Sequence, residues 1–505
     1  MSSSTGSRPP RQQPHRSAKR PKLANVHLPP EIWEHIFRFL PGFQLLRLRL
    51  ICRHWNDVIA GSASLMGRFH FCVTGRGRQG RMTRDYAPPG LNTMVTQVVV
   101  RKFRIEGVGA WFRDIAPRLT ELHLIDCDLS VGVLFGMLRL TLNLKSLVLN
   151  FLRFTGSGEP EFRLNRLTYL FFDHVGDNTE DGHHVLDGFE RMAPCLETLD
   201  LGINIESKKV EVLEWIRTMQ ASLRNLQLRR EPYIMEGLCQ LKELRLTLVS
   251  LNAIFPDDLE LWTRFCRMQP HVEILTITTN DAEILAETGR LLPKLRHLAL
   301  IVPGPIEVSF LATMPLLDYL EITGSNVYPV AKVSFLSHSC PSMEQFVLKN
   351  VETKDVFQFL YQSPKLARMH LVDCSLEYYP VLYRNFPKLI SLTLDSIRCP
   401  IYLLDAVSNQ CPKLEELHLF GLRYPDDDVV REFCKKLKLL KKLSLVFLRC
   451  VTDESARYIT RYCHVLEELS ADFSDAALDR LEATRRNIRI KRRICSDDED
   501  DDDDE

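Results

Sequence analysis

The chain has 505 residues, 45% of them hydrophobic and 26% charged, which is long enough to bury a large core; its 65 basic and 65 acidic residues cancel. The charge is unevenly placed: residues 1–22 carry six Lys/Arg and no acid, and Asp497–Glu505 is nine acids, leaving 59 basic against 56 acidic residues elsewhere. A body that neutral argues against an extended nucleic-acid surface, which needs a concentrated basic stripe.

Residues 1–22 are rich in Ser, Pro and Arg and are expected to be disordered. Within them Lys19-Arg20-Pro21-Lys22 fits a nuclear-import signal and equally a plain solvated basic arm. Pro29 and Pro30 then preset the backbone for a helix start, where a missing N–H costs little. From Glu31 the residues Ile32, Ile36, Phe39 and Leu40 recur at helical spacing, with Trp33 and Phe37 adding bulk, until Pro41-Gly42 ends the run. A second apolar stretch follows with Leu45, Leu46, Leu48, Leu50 and Ile51, then Cys52, Arg53 and Trp55. Two or three short helices cannot bury that much apolar surface among themselves, so part of it is expected to face another protein.

The segment LPPEIWEHIFRFLPGFQLLRLRLICRHWNDVI (28–59) resembles the F-box. Its Leu28-Pro29 opening, Ile36, Leu40, the Leu45/Leu46/Leu48 cluster and the Ile51–Trp55 block fall where that motif has its own. Gln44 departs from it, standing where the family often has an acid. The resemblance implies a Skp-type adaptor as partner and, through it, a cullin. It places Leu28, Pro29, Ile32, Ile36, Phe37, Leu40, Leu45 and Leu48 at the adaptor, with Ile51 and Trp55 packed inside. The alternative is a three-helix cap on the end of a solenoid, needing no partner.

Gly75–Gly80 formally matches the dinucleotide fingerprint G-x-G-x-x-G, but RMTRDYAPPG follows it. No helix can start there to offer its N–H groups to a pyrophosphate, so a basic loop is the expected reading.

An L-x-x-L-x-L frame then recurs, with conservative swaps. It starts at Leu119, Leu144, Leu167, Leu196, Leu223, Leu241, Val272, Leu295, Leu317, Met343, Leu366, Leu389, Leu414, Leu440 and Leu466. The mean period is about 25 residues, inside the leucine-rich-repeat range, and Met66 and Val100 open weaker echoes of the frame. Alternation along a short strand turns the second and third leucines inward and the residues between them outward. The stretches 426–439 and 453–465 have the helical period expected of the return segment. The intervals of 18 and 31 residues around Leu241 are irregular and mark a loop or a misassigned repeat. Proline precedes the frame at Pro194, Pro293, Pro341, Pro364, Pro387 and Pro412, stopping one element and extending the chain into the next. The Cys340-Pro341 and Cys411-Pro412 pairs resemble the cysteine-containing repeat subtype that accompanies an F-box.

The expected fold class is α/β: a leucine-rich-repeat solenoid, or horseshoe, preceded by a small helical F-box. The expected divisions are a basic arm (1–22), the F-box (24–66), a linker with irregular first repeats (67–118), the solenoid (119–484), and a basic run with the acidic tail (485–505). On the concave strands the frame presents Tyr169, Phe171, His370, Val372, Thr393, His418, Phe420, Ser444 and Val446. Of these Tyr169, Phe171, His370, Val372, His418, Phe420 and Val446 are the candidate target contacts.

Nothing in the sequence has the spacing of an active site. There is no C-x-x-C, no nucleophile elbow and no P-loop. The adjacent His183 and His184 lack companion ligands, so no metal and no cofactor is expected. The fourteen cysteines are scattered along the repeats, Cys127 and Cys374 at inward positions, as small hydrophobes of a reducing compartment. No apolar leader and no long apolar span is present, so a cytoplasmic and/or nuclear location is expected. The tail reads as a solubilising run, with Ser496 before Asp497-Asp498-Glu499 as a candidate acidophilic phosphorylation site. By resemblance the protein is a non-catalytic substrate receptor of a cullin-type (SCF) ubiquitin ligase. The alternatives are an interaction scaffold that drives no ubiquitination and a nuclear nucleic-acid binder using the basic arm.

Overall fold

The computed structural model describes residues 28–491 apart from 41, 76–79, 90–94, 174–182, 203–208, 229–231, 242–245, 247, 255–258, 326–329, 336–339, 377–385, 399–401 and 486. The basic arm, Arg76–Gln79 of the glycine motif, and Ser496 with the acidic tail lie outside the described residues, as do the side chains of His183 and His184. The chain divides into two compact units, Met1–His70 with Asn92–Thr96, and Phe71–Leu91 with Gln97–Glu505.

Among the described residues the first unit holds four helices, α1 (Pro30–Phe37), α2 (Gly42–Arg49), α3 (Arg53–Gly61) and α4 (Ala63–Met66). Pro30 sits in the first turn of α1, where its fixed φ suits the helix and no N–H is missed. The unit closes around rings: Trp33 lies 5.6 Å from Phe37 and 4.9 Å from Trp55, and Phe37 meets Trp55 edge-on at 5.5 Å. Glu34 ties α1 to the α3–α4 junction by accepting from Ser62 Oγ (2.9 Å) and Ser64 Oγ (3.1 Å), and it also pairs with Arg38 (2.8 Å).

The second unit is built on one long parallel sheet whose strands follow one another in chain order. Its inward row stays in register from Val98 through Leu122, Leu147 and Leu170 to Leu443, Leu469 and Ile490. The strand Glu416–Phe420 shows the rule, with Leu417 and Leu419 buried and Glu416, His418 and Phe420 half-exposed. In fourteen of the fifteen frames the strand begins two residues after the frame's first apolar residue.

The exception is a correction. The repeat assigned at Leu241 has its strand at Ser250–Ile254, in register with Asn225–Leu228 before it and Ile274–Thr278 after it. The true frame begins at Leu248, with Leu248 and Leu251 buried, and the irregular intervals disappear. The Val100 echo is likewise misplaced, because the main strand is Gln97–Arg101 and its frame is Val95, Val98 and Val100. The sheet also continues past 484, with Arg489–Lys491 pairing to Glu468–Ser470.

One residue past many strands the backbone turns left-handed, at Lys102, Asp126, Phe151, Asn350, Asp373, Ser396, Gly421 and Phe447. The turn carries the ladder one rung further; Gly421 N donates to Val446 O at 3.0 Å and Ser396 N to Phe420 O at 2.9 Å. After it, two short parallel strips form: Arg81–Met82, Arg104–Ile105, Asp128–Ser130 and Arg153–Thr155, and later Ile306–Glu307, Ala331–Ser334, Val351–Thr353 and Ser375–Leu376. Helices such as Asp427–Lys436, Asp453–Tyr462 and Asp475–Thr484 complete the repeats and pack side by side. Their starts interlock: Asp427 accepts from Thr452 N (2.9 Å), Thr452 Oγ1 (2.6 Å) and Ser455 Oγ (2.5 Å) of the next repeat. Asp453 accepts in the same way from Ser474 N and Oγ.

Candidate functional site

Helix periodicity sorts the residues of α1 into two faces. Trp33 and Phe37, one turn apart, point into the ring cluster, and Phe37 is 1% exposed. Ile32, Ile36 and Phe39 fall on the other face at 47%, 39% and 77% exposure. The following segment adds Leu46 (51%), Leu50 (87%) and Ile51 (62%). Six large apolar side chains within twenty residues therefore stand in solvent, a concentration that marks an association surface. Leu28, Leu40 and Leu48 are half-buried and Pro29 is exposed.

On the open face of the repeat sheet the polar side chains are largely paired across strands. Glu321 accepts from Lys349 Nζ (2.7 Å) and Tyr319 Oη (2.6 Å). Burial alone would raise the Glu321 carboxyl, but those bonds outweigh it and hold it below the usual carboxylate range. Glu416 accepts from Lys442 (2.6 Å) and Glu415 from Lys441 (2.8 Å), and the Lys442 bond holds the Glu416 carboxyl low. His418 Nδ1 lies 2.8 Å from Ser444 Oγ, and its ring stacks near Phe420. Burial pushes His370 and His418 below the usual imidazole range, so both are neutral near pH 7.

This chemistry suits recognition. The His418–Ser444 pair has no acid bonded to the ring among the described residues, so it lacks the orienting member of a nucleophilic triad. The inward cysteines are thiols: burial pushes Cys127 and Cys374 up to about 11 and Cys340 and Cys411 up to about 12. Among the described residues no group of three or more His, Cys, Asp or Glu is placed to hold a metal ion. Nor is any described helix long and apolar enough to cross a membrane.

Comparison with known proteins bears on the first unit. The model of the F-box-like family matches residues 26–72, which contain the four helices and their exposed apolar face. Residues 26–72 are thus similar to the F-box-like family, and a leucine-rich-repeat sheet follows them. Its repeat architecture rests on the strand registers above. Among solved structures, the TLR13–ssRNA13 complex is similar at 14% identity and TM-score 0.46, over 78% of this chain and 62% of that one. The Leptospira interrogans LRR protein LIC12759 is similar at 15% identity and TM-score 0.32, over 85% of this chain and 91% of that one. This chain thus spans under two thirds of the first of these. A search of curated proteins finds no match.

In the F-box, Phe37 and Leu45 are not available to an adaptor. Phe37 is enclosed by Trp33 and Trp55, and Leu45 is fully buried, because each lies on its helix's inner face. Ile51, expected inside, is exposed, while Trp55 is half-buried in the ring cluster as expected. On the repeats, Tyr169, Phe171, His370, Val372, Thr393, His418 and Phe420 all lie half-buried on the open face. Val446 is a correction at 8% exposure, being a short side chain in register with the larger Phe420. Ser444 is equally shielded.

These residues form two patches. His370, Val372, Thr393, His418 and Phe420 share three adjoining strands, with Ser444 and Val446 on a fourth. Tyr169 and Phe171 stand eight strands before His370, about 40 Å along the sheet at normal strand spacing. The alternation also places the first residue of many strands on the open face, with Arg368 exposed and Glu416, Lys442 and Glu468 half-buried. The frame held that signal, since these positions share the parity of His370 and His418.

Proposed function

We propose that the chain is the substrate-recognition subunit of a cullin-type ubiquitin ligase, docking on a Skp-type adaptor through the F-box and holding a target protein on the repeats. The single observation that carries this reading is the exposed stripe of Ile32, Ile36, Phe39, Leu46, Leu50 and Ile51 within a segment that matches the F-box-like family. Six such side chains in water are costly, at about 25 cal/mol per Å² of apolar surface, and a helical partner would cover them. Leu28, Pro29, Leu40 and Leu48 border the stripe in sequence and join it at the adaptor. The protein itself supplies no reacting group. It makes ubiquitin transfer by a separate conjugating enzyme effectively intramolecular, by holding the target near it.

The test is co-purification with the adaptor and a cullin, comparing wild type with Phe39→Asp/Leu50→Asp. Both residues are mostly exposed, so the variant folds. Recovery of both partners with wild type and of neither with the variant is the expected result. Adaptor without cullin would leave an interaction scaffold, and neither partner with wild type would end the ligase reading.

A further inference from the structure

Three consecutive repeats enter their strands through the same turn, Pro364-Lys365, Pro387-Lys388 and Pro412-Lys413, the lysine in each three residues before the strand's first residue. The strands are in register as Arg368, Ser391 and Glu416, and the ladder extends backwards through Ile390 N to Ala367 O and Glu415 N to Ile390 O. Lys365, Lys388 and Lys413 therefore stand on adjoining turns, about 5 Å apart at the backbone. All three are exposed, as is Arg368 beside them, and Ile390 between them is 40% exposed.

Their lack of ion pairs sets them apart from several other cations of the face. From Tyr319 onward four other cations of the sheet and its leading edge have acids: Lys349 with Glu321, Lys441 with Glu415, Lys442 with Glu416 and Lys491 with Glu468. Among the described residues, no carboxylate lies within ion-pair distance of Lys365, Arg368, Lys388 or Lys413. Two further cations stand outside these pairs: exposed Lys438, on the turn before Lys442–Val446, and Arg489, on the terminal strand, three strands beyond Glu416. Glu344 borders the lane on one side, through Ala367 N to Glu344 O, and Glu415 and Glu416 border it on the other, paired with Lys441 and Lys442. Like charges in register on neighbouring strands disfavour folding. Four exposed cations that make no ion pair among the described residues thus flank an exposed isoleucine.

Resting on the reading that the repeats hold a target, we infer that this edge docks an extended acidic segment of the target protein. Its carboxylates, spaced along a strand-like chain, would meet Lys365, Lys388 and Lys413 in turn, and an aliphatic side chain would cover Ile390. Charge complementarity of this kind sets encounter rate and salt sensitivity.

The experiment uses the full chain and a fluorescein-labelled synthetic peptide alternating Glu and Leu, read by anisotropy at low and physiological salt. Wild type binds, and salt weakens binding. Lys365→Glu/Lys388→Glu/Lys413→Glu weakens it by more than about tenfold, and the triple alanine variant by less. The melting temperature stays unchanged in both, since the replaced side chains are exposed. Equal binding by wild type and the Glu variant overturns the inference. So does tighter binding of a single-stranded DNA oligonucleotide than of the peptide, which would make the lane a nucleic-acid contact. A gain of about tenfold on deleting residues 492–505 also overturns it, by making the chain's own acidic tail the occupant. Co-purification of the adaptor is a separate readout, so failure here and failure of the ligase reading are distinguishable.

Discussion

The F-box and the repeat sheet spend similar apolar side chains in opposite ways. Along the sheet each inward leucine meets its counterpart on the next strand, and Leu122, Leu147, Leu226, Leu298, Leu417 and Leu443 are all within 1% of full burial. The repeat unit's twelve exposed large apolar residues are spread from Leu142 to Val465, among the described residues. The helices have six in the twenty residues from Ile32 to Ile51. A repeat has a neighbour of its own kind to complete it; a few short helices do not. The difference teaches where to look for an obligate partner: at the element whose apolar surface its own chain leaves uncovered.

The largest effect is expected where the sheet's completion is broken. Leu419→Ala removes a fully buried side chain from the inward row and should cost about 2–5 kcal/mol, seen as a lower denaturant midpoint. Because repeats depend on their neighbours, hydrogen exchange should quicken in the flanking strands Ser391–Asp395 and Lys442–Val446 as well. A loss confined to the substituted strand would break the comparison.

A smaller effect is expected at the interlocked helix starts. Asp427→Asn removes the charge and turns one of the two oxygens that accept from Thr452 and Ser455 into an NH2 donor, and should cost about 1–2 kcal/mol at neutral pH. Burial raises the Asp427 carboxyl, but the hydrogen bonds from Ser455 and Thr452 more than reverse that and hold it low. A carboxyl lower in the folded than in the unfolded chain stabilises above the unfolded value, about 4, and loses that contribution as pH falls through the folded value. The gap between wild type and Asp427→Asn should therefore close in acid, which urea unfolding at pH 7 and below pH 4 would measure. A gap that widens in acid would contradict the arrangement.

Much of the repeat unit was legible in its sequence because a strand's period of two and a repeat's period of about 25 reinforce each other. Leucine spacing alone misled at Leu241, where LKELRL matches the frame, while the real strand carries Asn252 and Ala253 between weaker apolar positions. The short strips, such as Ile306–Glu307, are two to four residues long, too brief to show any period. In the F-box the sequence told apolar from polar but not inner from outer. Both faces of α1 are apolar, and only the rings of Trp33, Phe37 and Trp55 decide which one closes.

The smallest effect on stability should come from the residues that matter most for the proposed partner. Phe39→Asp/Leu50→Asp replaces two side chains exposed at 77% and 87%, so the isolated chain should unfold within about 0.5 kcal/mol of wild type. Any change should favour the variant's solubility, because an exposed apolar stripe promotes self-association. Phe37→Asp is the contrast, since it buries a charge among Trp33 and Trp55 and should unfold the helices. Both substitutions would abolish adaptor binding, yet only thermal unfolding of the free chain tells them apart. If Phe39→Asp/Leu50→Asp lowers the melting temperature as Phe37→Asp does, the stripe is part of the protein's own core. The F-box would then be a self-sufficient cap, and its contrast with the sheet would vanish.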